Sequence, residues 1–178
     1  AFSSVMVGDP LSENTEMGSL STKAQFDRVT EYIAGAKRQG ATVHSGSQSD
    51  LGNQNGYFVR PTLLTEITPE MTIAREEVFG PVLCVLRWDS ESEMLEIANG
   101  LDVGLTASIW TESIDTAMRL SGQIQAGYVC VNDSSDHYLG APFGGMKNSG
   151  QGREECLDEL LAYTEVKTVT IVQKAQTK

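Results

Sequence analysis

The sequence predicts an α/β fold: a three-layer domain with an open, mostly parallel sheet and helices on both faces. Three apolar runs between residues 82 and 132 have the length of buried strands, and two helical patterns separate them. Strands that alternate with helices in this way pair in parallel through right-handed crossovers, with both faces of the sheet covered. Ligands bind such sheets beyond the carboxyl ends of the strands, so the loop after Asn132 is a favourable place for a site.

The first half of the chain carries clear start and stop signals. The predicted elements are a helix over 22–39, strands over 41–45 and 57–64, and a short helix over 71–78. A capping-box pattern from Thr22 to Gln25 begins the first helix, and Gly40 suits its C-terminal end. Pro61 favours an edge position for the second strand, because proline cannot donate to a sheet ladder. Gly80-Pro81 is expected to end the element that precedes it, the short helix over 71–78.

The second half alternates between the two element types. The predicted elements are strands over 82–88, 105–110, 127–132 and 164–172, with helices over 90–98, 114–124 and 154–162. The last strand is rich in β-branched residues and has no partner strand adjacent in sequence. An unpaired strand of this kind invites association. We therefore expect it to join a sheet elsewhere, in another subunit, or to form an edge strand of the same domain.

Composition and charge argue against several partners. The formal net charge is −11, with no basic patch, which disfavours both nucleic acid and anionic membranes. No segment has the length of a membrane-spanning helix, and the N-terminal residues lack the pattern of a signal peptide. The chain does not begin with Met, so we expect processing or a piece of something longer. Three widely spaced cysteines favour a reducing compartment, and we expect a cytoplasmic protein.

Two stretches are candidates for ligand contact, and neither contains a catalytic group. Residues 75–82 place adjacent carboxylates beside Val-Phe and before a buried strand, although an exposed helix end is an equal alternative. Residues 140–152 are rich in glycine but match neither the Walker nor the dinucleotide pattern, so their glycines are expected to allow close backbone approach between packed elements and not to bind a phosphate. His44 and His137 are far apart and lack ligands at metal spacing, so no metal site is predicted. None of the cysteines is flanked by groups that would make it a nucleophile.

Several motifs resemble the aldehyde dehydrogenase superfamily in their order and spacing. The principal ones are Glu-Glu-Val-Phe-Gly-Pro-Val (76–82), Pro-Phe-Gly-Gly-Met-Lys-Asn-Ser-Gly (142–150) with Gly-Arg-Glu (152–154), and Tyr-Thr-Glu-Val-Lys-Thr-Val (163–169); shorter matches lie at 7–11, 56–62 and 127–132. The resemblance implies a fragment of that enzyme. Residues 1–162 would be the C-terminal portion of the catalytic domain, and residues 163–178 the oligomerisation strand and tail.

The resemblance also implies roles for named residues. Glu77 would accept hydrogen bonds from the nicotinamide ribose, and Phe79 would pack near the nicotinamide of NAD or NADP. The aldehyde pocket would be lined by Asp133, Ser135, His137 and Phe143. The polar, acidic loop over 133–139 favours a polar or cationic aldehyde. The cofactor would be bound mainly by the N-terminal part of the family's chain.

The implied reaction is oxidation of an aldehyde to a carboxylic acid through a cysteine thioester, with hydride transfer to NAD(P)+. The nucleophilic cysteine, general base and oxyanion-hole asparagine of the family lie upstream of the matched region, so no catalytic residue is predicted here. This chain alone is expected to be inactive, and to form a homo-oligomer through its last strand. The alternatives are a non-catalytic assembly module of the same fold and, less favoured, a free-standing binding domain.

Overall fold

The computed structural model describes residues 2–45, 56–134 and 136–173, and these form two compact units, Ala1–Leu101 and Asp102–Lys178. Each unit contains both helices and strands, and each contains one pair of parallel strands. The predicted α/β class with parallel strands is therefore confirmed. Among the residues described, no helix is both long and apolar enough to cross a membrane.

Among its described residues, the first unit contains three α-helices and a three-stranded sheet. Its elements are α1 (Lys23–Arg38), β1 (Thr42–Ser45), β2 (Thr62–Ile67), α2 (Thr72–Arg75), β3 (Val82–Leu86) and α3 (Glu91–Asn99). Strand β2 lies in the middle, antiparallel to β1 and parallel to β3. Helix α1 begins as predicted, since the Thr22 hydroxyl accepts a hydrogen bond from the Gln25 amide at 3.2 Å.

The core of this unit joins α1, α2 and the sheet. Its buried members are Ala36, Ala41, Leu64, Ile67, Met71 and Ile73. Leu64, at the centre of β2, is completely buried. Burial of a leucine side chain stabilises the fold by about 2 kcal/mol. Leu64 therefore stabilises the packing of α1 and α2 against the sheet.

Two predicted elements of the first unit were wrong in position. The strand predicted over 57–64 at an edge begins only after Pro61 and is the central strand. Pro61 precedes the ladder and removes no bond from it, and the Thr62 amide donates to the carbonyl of Pro81 at 2.9 Å. The helix predicted over 71–78 ends at Arg75, and Glu76 is already extended, with φ −119° and ψ 144°.

The second unit contains two small sheets and two helices. Its elements are β4 (Val103–Gly104), β5 (Thr106–Ile109), α4 (Ile114–Gln123), β6 (Tyr128–Val131), β7 (Met146–Lys147) and α5 (Leu157–Ala162). Strands β5 and β6 are parallel with α4 between them, as predicted, whereas β4 and β7 are antiparallel. Gly127 allows close approach, because a Cβ there would lie 1.8 Å from the carbonyl oxygen of Gly144.

The C-terminal segment does not form the predicted strand. Residues 164–173 carry no strand, and their side chains are exposed; Val166, for example, is 97% exposed. An edge strand within the same domain is thus not observed over these residues. Pairing with another subunit stays a prediction.

Candidate functional site

Glu77 and Phe79 lie on a short segment, neither helix nor strand, that connects α2 to β3. This presenting segment (Glu76–Phe79) begins where α2 ends, and both predicted contact residues are exposed on it. Phe79 has a φ of 55° and a side chain that is 73% exposed. A non-glycine residue rarely adopts this left-handed conformation, so the surrounding structure must hold it.

Helix α1 supplies part of that support through its polar face. The Gln25 side-chain amide donates to the carbonyl of Val78 at 3.3 Å and also to the carbonyl of Phe79. The Arg28 guanidinium donates to the carbonyl of Glu77 at 2.8 Å. Among the described residues these backbone oxygens accept no bond from a strand or helix, so the bonds from α1 satisfy them and fix the path of the presenting segment.

Tyr32 adds a third contact from the same face of α1. Its hydroxyl donates to the carboxylate of Glu76, and Arg28 lies over its ring at 5.4 Å from the centroid. Gln25, Arg28 and Tyr32 share one face because their spacing of three and four residues matches the helical repeat. The motifs in the sequence did not single out these three residues, although their polar spacing on an otherwise amphipathic helix was a usable signal.

The two neighbouring carboxylates of the segment differ in their surroundings. Glu76 is held by Tyr32, whereas the Glu77 side chain makes no hydrogen bond or ion pair with any residue that the structure describes. An exposed carboxylate has two acceptor oxygens that suit a pair of adjacent hydroxyls, and the exposed Phe79 ring offers an apolar face. Both residues therefore fit contact with a ribose and its attached aromatic ring.

The predicted pocket loop begins at the carboxyl end of β6. Asn132 ties this end to the end of β5, because its side chain exchanges two hydrogen bonds of 2.9 Å with the backbone of Thr111. The side chain of Asp133 then accepts a bond from the adjacent Ser134 amide at 2.6 Å. Ser135 lies outside the described residues. The loop thus starts where parallel sheets commonly bind ligands.

The structure brings together His137 and Phe143, with Tyr128 beside them. The ring centroids of His137 and Phe143 are 4.4 Å apart. The ring centroid of Tyr128 lies 5.4 Å from that of His137 and 5.6 Å from that of Phe143. This aromatic trio (Tyr128, His137, Phe143) has the separations of interacting rings. Tyr128, on β6, was missed because nothing in an apolar strand distinguishes a pocket tyrosine from a core tyrosine.

Glu155 holds the loop from the other side. Its carboxylate lies 2.8 Å from Nδ1 of His137, and its carbonyl accepts a hydrogen bond from the Gly140 amide at 2.8 Å. The preceding residue, Glu154, exchanges two backbone bonds with Phe143, at 2.7 Å and 3.0 Å. Glu155 was also missed, since in sequence it looked like one more surface carboxylate near Cys156.

Tyr128 is a hydrogen-bond donor in this site. Desolvation, with a smaller effect of the nearby Cys130 thiol, raises the pKa of the Tyr128 phenol. The phenol therefore stays protonated at neutral pH, and it donates to the carbonyl of Asp136 at 3.2 Å. Within the described ranges, no three His, Cys, Asp or Glu side chains are grouped as a metal site would require.

Comparison with known proteins places these residues in a family context. The model of the aldehyde dehydrogenase family matches residues 1–169. "Aldehyde dehydrogenase tropH" of Talaromyces stipitatus is 51% identical over 88% of this chain and 32% of its own length. A betaine aldehyde dehydrogenase of Sinorhizobium fredii is 42% identical over 94% of this chain and 34% of its own length.

Solved structures of aldehyde dehydrogenases are also similar to this chain. An NAD+ complex of aldehyde dehydrogenase from Bacillus cereus superposes with a TM-score of 0.84 and 44% identity, over 96% of this chain and 34% of that one. The chain thus spans about a third of the length of the curated relatives that it matches.

Proposed function

The chain belongs to the aldehyde dehydrogenase family, and on that premise we propose that it is the cofactor- and substrate-contacting part of an NAD(P)-dependent aldehyde dehydrogenase. The parent enzyme would oxidise an aldehyde to a carboxylic acid through a cysteine thioester. Its nucleophile, general base and oxyanion-hole asparagine would belong to the rest of the polypeptide. The observation that carries this proposal is the presenting segment, which exposes Glu77 and Phe79 while α1 holds its backbone.

The proposed roles follow from these exposed groups. Glu77 would accept two hydrogen bonds from the nicotinamide ribose, and charge-assisted bonds of this kind are shorter and stronger than neutral ones. Phe79 would limit the movement of the nicotinamide ring, because a flat apolar face restricts its orientation. When bound, the cofactor accepts the hydride that leaves the aldehyde carbon.

The substrate contacts would come from the second unit. We assign the aldehyde pocket to Asp133, Ser135, His137 and Phe143, and the aromatic trio supports this for His137 and Phe143. The carboxylates in the loop favour a polar or cationic aldehyde over an anionic one. The exposed apolar residues after Tyr163 support a homo-oligomer through residues 163–178, since exposed apolar chain commonly marks an interface. The three free thiols support a cytoplasmic location.

The test is an assay of NAD(P)H formation with a panel of aldehydes. The complete polypeptide that carries this segment should reduce NAD+ or NADP+, whereas the 178-residue chain alone should give no product. Oxidation of aldehydes by the isolated chain would overturn the proposal. So would a complete enzyme that reduces neither cofactor with any aldehyde.

A second candidate is a non-catalytic assembly module, which the exposed segment after Tyr163 favours in the same way. The reading frame upstream of Ala1 separates the two proposals. A cysteine-bearing segment and a glycine-rich nucleotide domain there would support the enzyme. A start codon directly before Ala1 would support the module.

A further inference from the structure

His137 is the one member of the aromatic trio with a hydrogen-bonded charged partner among the described residues. Its Nδ1 lies 2.8 Å from Oε1 of Glu155, and the two side chains are 41% and 33% exposed. The rings of Tyr128 and Phe143 lie beside it, at 5.4 Å and 4.4 Å between centroids, and they also contact each other at 5.6 Å. The imidazole is therefore held in place while part of it still faces solvent.

The backbone conformation of Glu155 directs its carboxylate towards His137. Glu155 has a φ of 62°, in the left-handed region that non-glycine residues rarely adopt. Its amide donates to the carboxylate of Glu159 at 2.7 Å, and its carbonyl accepts from Gly140 at 2.8 Å. Two bonds thus maintain an unusual conformation whose result is a carboxylate directed at His137. Such conformations cluster at functional sites.

The contact decides which imidazole nitrogen carries the proton. An ionised carboxylate only accepts hydrogen bonds, so Nδ1 of His137 must donate to Glu155. In the neutral imidazole, Nε2 is then unprotonated and acts as an acceptor. Nε2 of His137 makes no hydrogen bond with the residues that the structure describes. In this neutral form, Nε2 is therefore left as an acceptor for an external group.

We propose that Glu155 is a positioning residue that sets His137 as a hydrogen-bond acceptor for the substrate, and that the preferred aldehydes carry a hydroxyl group. This inference rests on the proposed function and names its substrate class. The rings of Tyr128 and Phe143 would flank the apolar part of the aldehyde, and the hydroxyl would donate to Nε2 of His137. The negative charge of Glu155 disfavours an anionic substituent at the same position.

Imidazole nitrogen NMR of the full 178-residue chain tests the positioning without any assay. The chain has two histidines, so a His44→Gln variant identifies the signals of His137. We expect Nδ1 of His137 to be protonated in the wild type and in Glu155→Gln, whose amide oxygen still accepts. In Glu155→Leu the proton should move mainly to Nε2. The same tautomer in the wild type and in Glu155→Leu would overturn the proposal.

Kinetics of the complete enzyme test the substrate class. The matched pair is para-(hydroxymethyl)benzaldehyde and para-ethylbenzaldehyde, which have almost the same shape and differ in the donor. The wild type should favour the hydroxymethyl compound in kcat/KM, and His137→Phe should lower that preference about fivefold to tenfold, as expected for one neutral hydrogen bond. His44→Gln, in a different unit, is the control and should leave the ratio unchanged.

The outcomes separate the two proposals. If both aldehydes are oxidised with the same ratio in the wild type and in His137→Phe, the inference about His137 falls and the proposed function stands. If the complete enzyme oxidises no aldehyde, the proposed function fails and this inference fails with it.

Discussion

Adjacent carboxylates at 76 and 77 have different surroundings, and this difference is useful for testing them. Glu76 receives a hydrogen bond from Tyr32, while the carboxylate of Glu77 is exposed. The same chemical change at the two positions should therefore have different consequences. Glu76 would serve the fold of the presenting segment, and Glu77 would serve the cofactor.

The first prediction compares Glu77→Gln with Glu76→Gln in the complete enzyme. Glu77→Gln removes a charged acceptor, and such a bond contributes about 1.5–3 kcal/mol. We expect a rise in KM for the cofactor or a fall in kcat of about tenfold or more. Glu76→Gln should change neither strongly, because its amide oxygen can still accept from Tyr32. Unchanged steady-state kinetics in Glu77→Gln would contradict the assignment.

The second prediction concerns the thiol of Cys84 on β3. Burial raises the pKa of this thiol, which keeps it protonated at neutral pH. Alkylation of Cys84 by iodoacetamide, followed by mass spectrometry, should be slower in the folded chain than in the same chain unfolded with urea. Equal rates in the two states would contradict this.

The raised pKa of Cys84 also makes the stability of the fold depend on pH. A thiol whose pKa is raised by folding favours the folded state fully below its unfolded pKa, about 8.5. That contribution is lost as the pH rises through the folded pKa, because the unfolded thiol ionises first. Alkaline titration of the free energy of unfolding should therefore show a steeper loss in the wild type than in Cys84→Ala.

Short contiguous motifs could be recognised in the sequence, and contacts that act across the chain could not. Glu77, Phe79, His137 and Phe143 were named because the motifs around them resemble the aldehyde dehydrogenase family, and their roles stay predictions. The supports were missed because their contacts are distant in sequence: Gln25 reaches Phe79 across 54 positions and Tyr32 reaches Glu76 across 44. A single sequence does not show such long-range pairs.

At the scale of elements, periodic helices were predicted well and boundaries set by tertiary contacts were not. Helix α1 was expected over 22–39 and runs from Lys23 to Arg38. Helix α2 was predicted three residues too long at its C-terminal end, because Glu76 is already extended and contacts from α1 hold the backbone of residues 77–79 outside the helix. The position of β2 within the sheet was also missed, since Pro61 lies just before β2 and does not mark an edge.

The third prediction tests the close packing beside β6. Gly127→Ala would place a Cβ 1.8 Å from the carbonyl oxygen of Gly144, so the backbone must move. We expect a loss of about 1–3 kcal/mol in the free energy of unfolding, measured by urea denaturation. Gly122→Ala is the matched control, because nothing lies within 4 Å of its Cβ and it sits in α4.

The control should move in the other direction. Alanine in a helix is more stable than glycine by about 0.5–1 kcal/mol, so Gly122→Ala should raise the free energy of unfolding. Equal effects of the two substitutions would show that contact with Gly144 does not decide the identity of residue 127.

At the scale of the whole molecule, the alternation of strands and helices was enough to predict the α/β class. It did not show with which strand the last segment, residues 164–173, would pair. Residues 164–173 are exposed, and β-branched side chains such as Ile171 and Val172 are not covered by the part of the chain that the structure describes.

The fourth prediction concerns that segment. Removal of residues 164–178 from the complete enzyme should lower its oligomeric state, measured by light scattering after size exclusion, because the pairing strand is lost. Removal of residues 174–178 alone is the control and should leave the assembly intact. If the longer deletion leaves the number of subunits in the assembly unchanged, residues 163–178 are not the oligomerisation strand.

The central claim is that the presenting segment offers Glu77 and Phe79 to the nicotinamide ribose of a bound cofactor. A crystal structure of the complete enzyme with NAD+ or NADP+ tests it most directly. We predict that the Glu77 carboxylate lies within about 3.2 Å of the nicotinamide ribose hydroxyls, with the Phe79 ring beside the nicotinamide. A cofactor whose ribose is bound elsewhere, with Glu77 facing solvent, would contradict the claim.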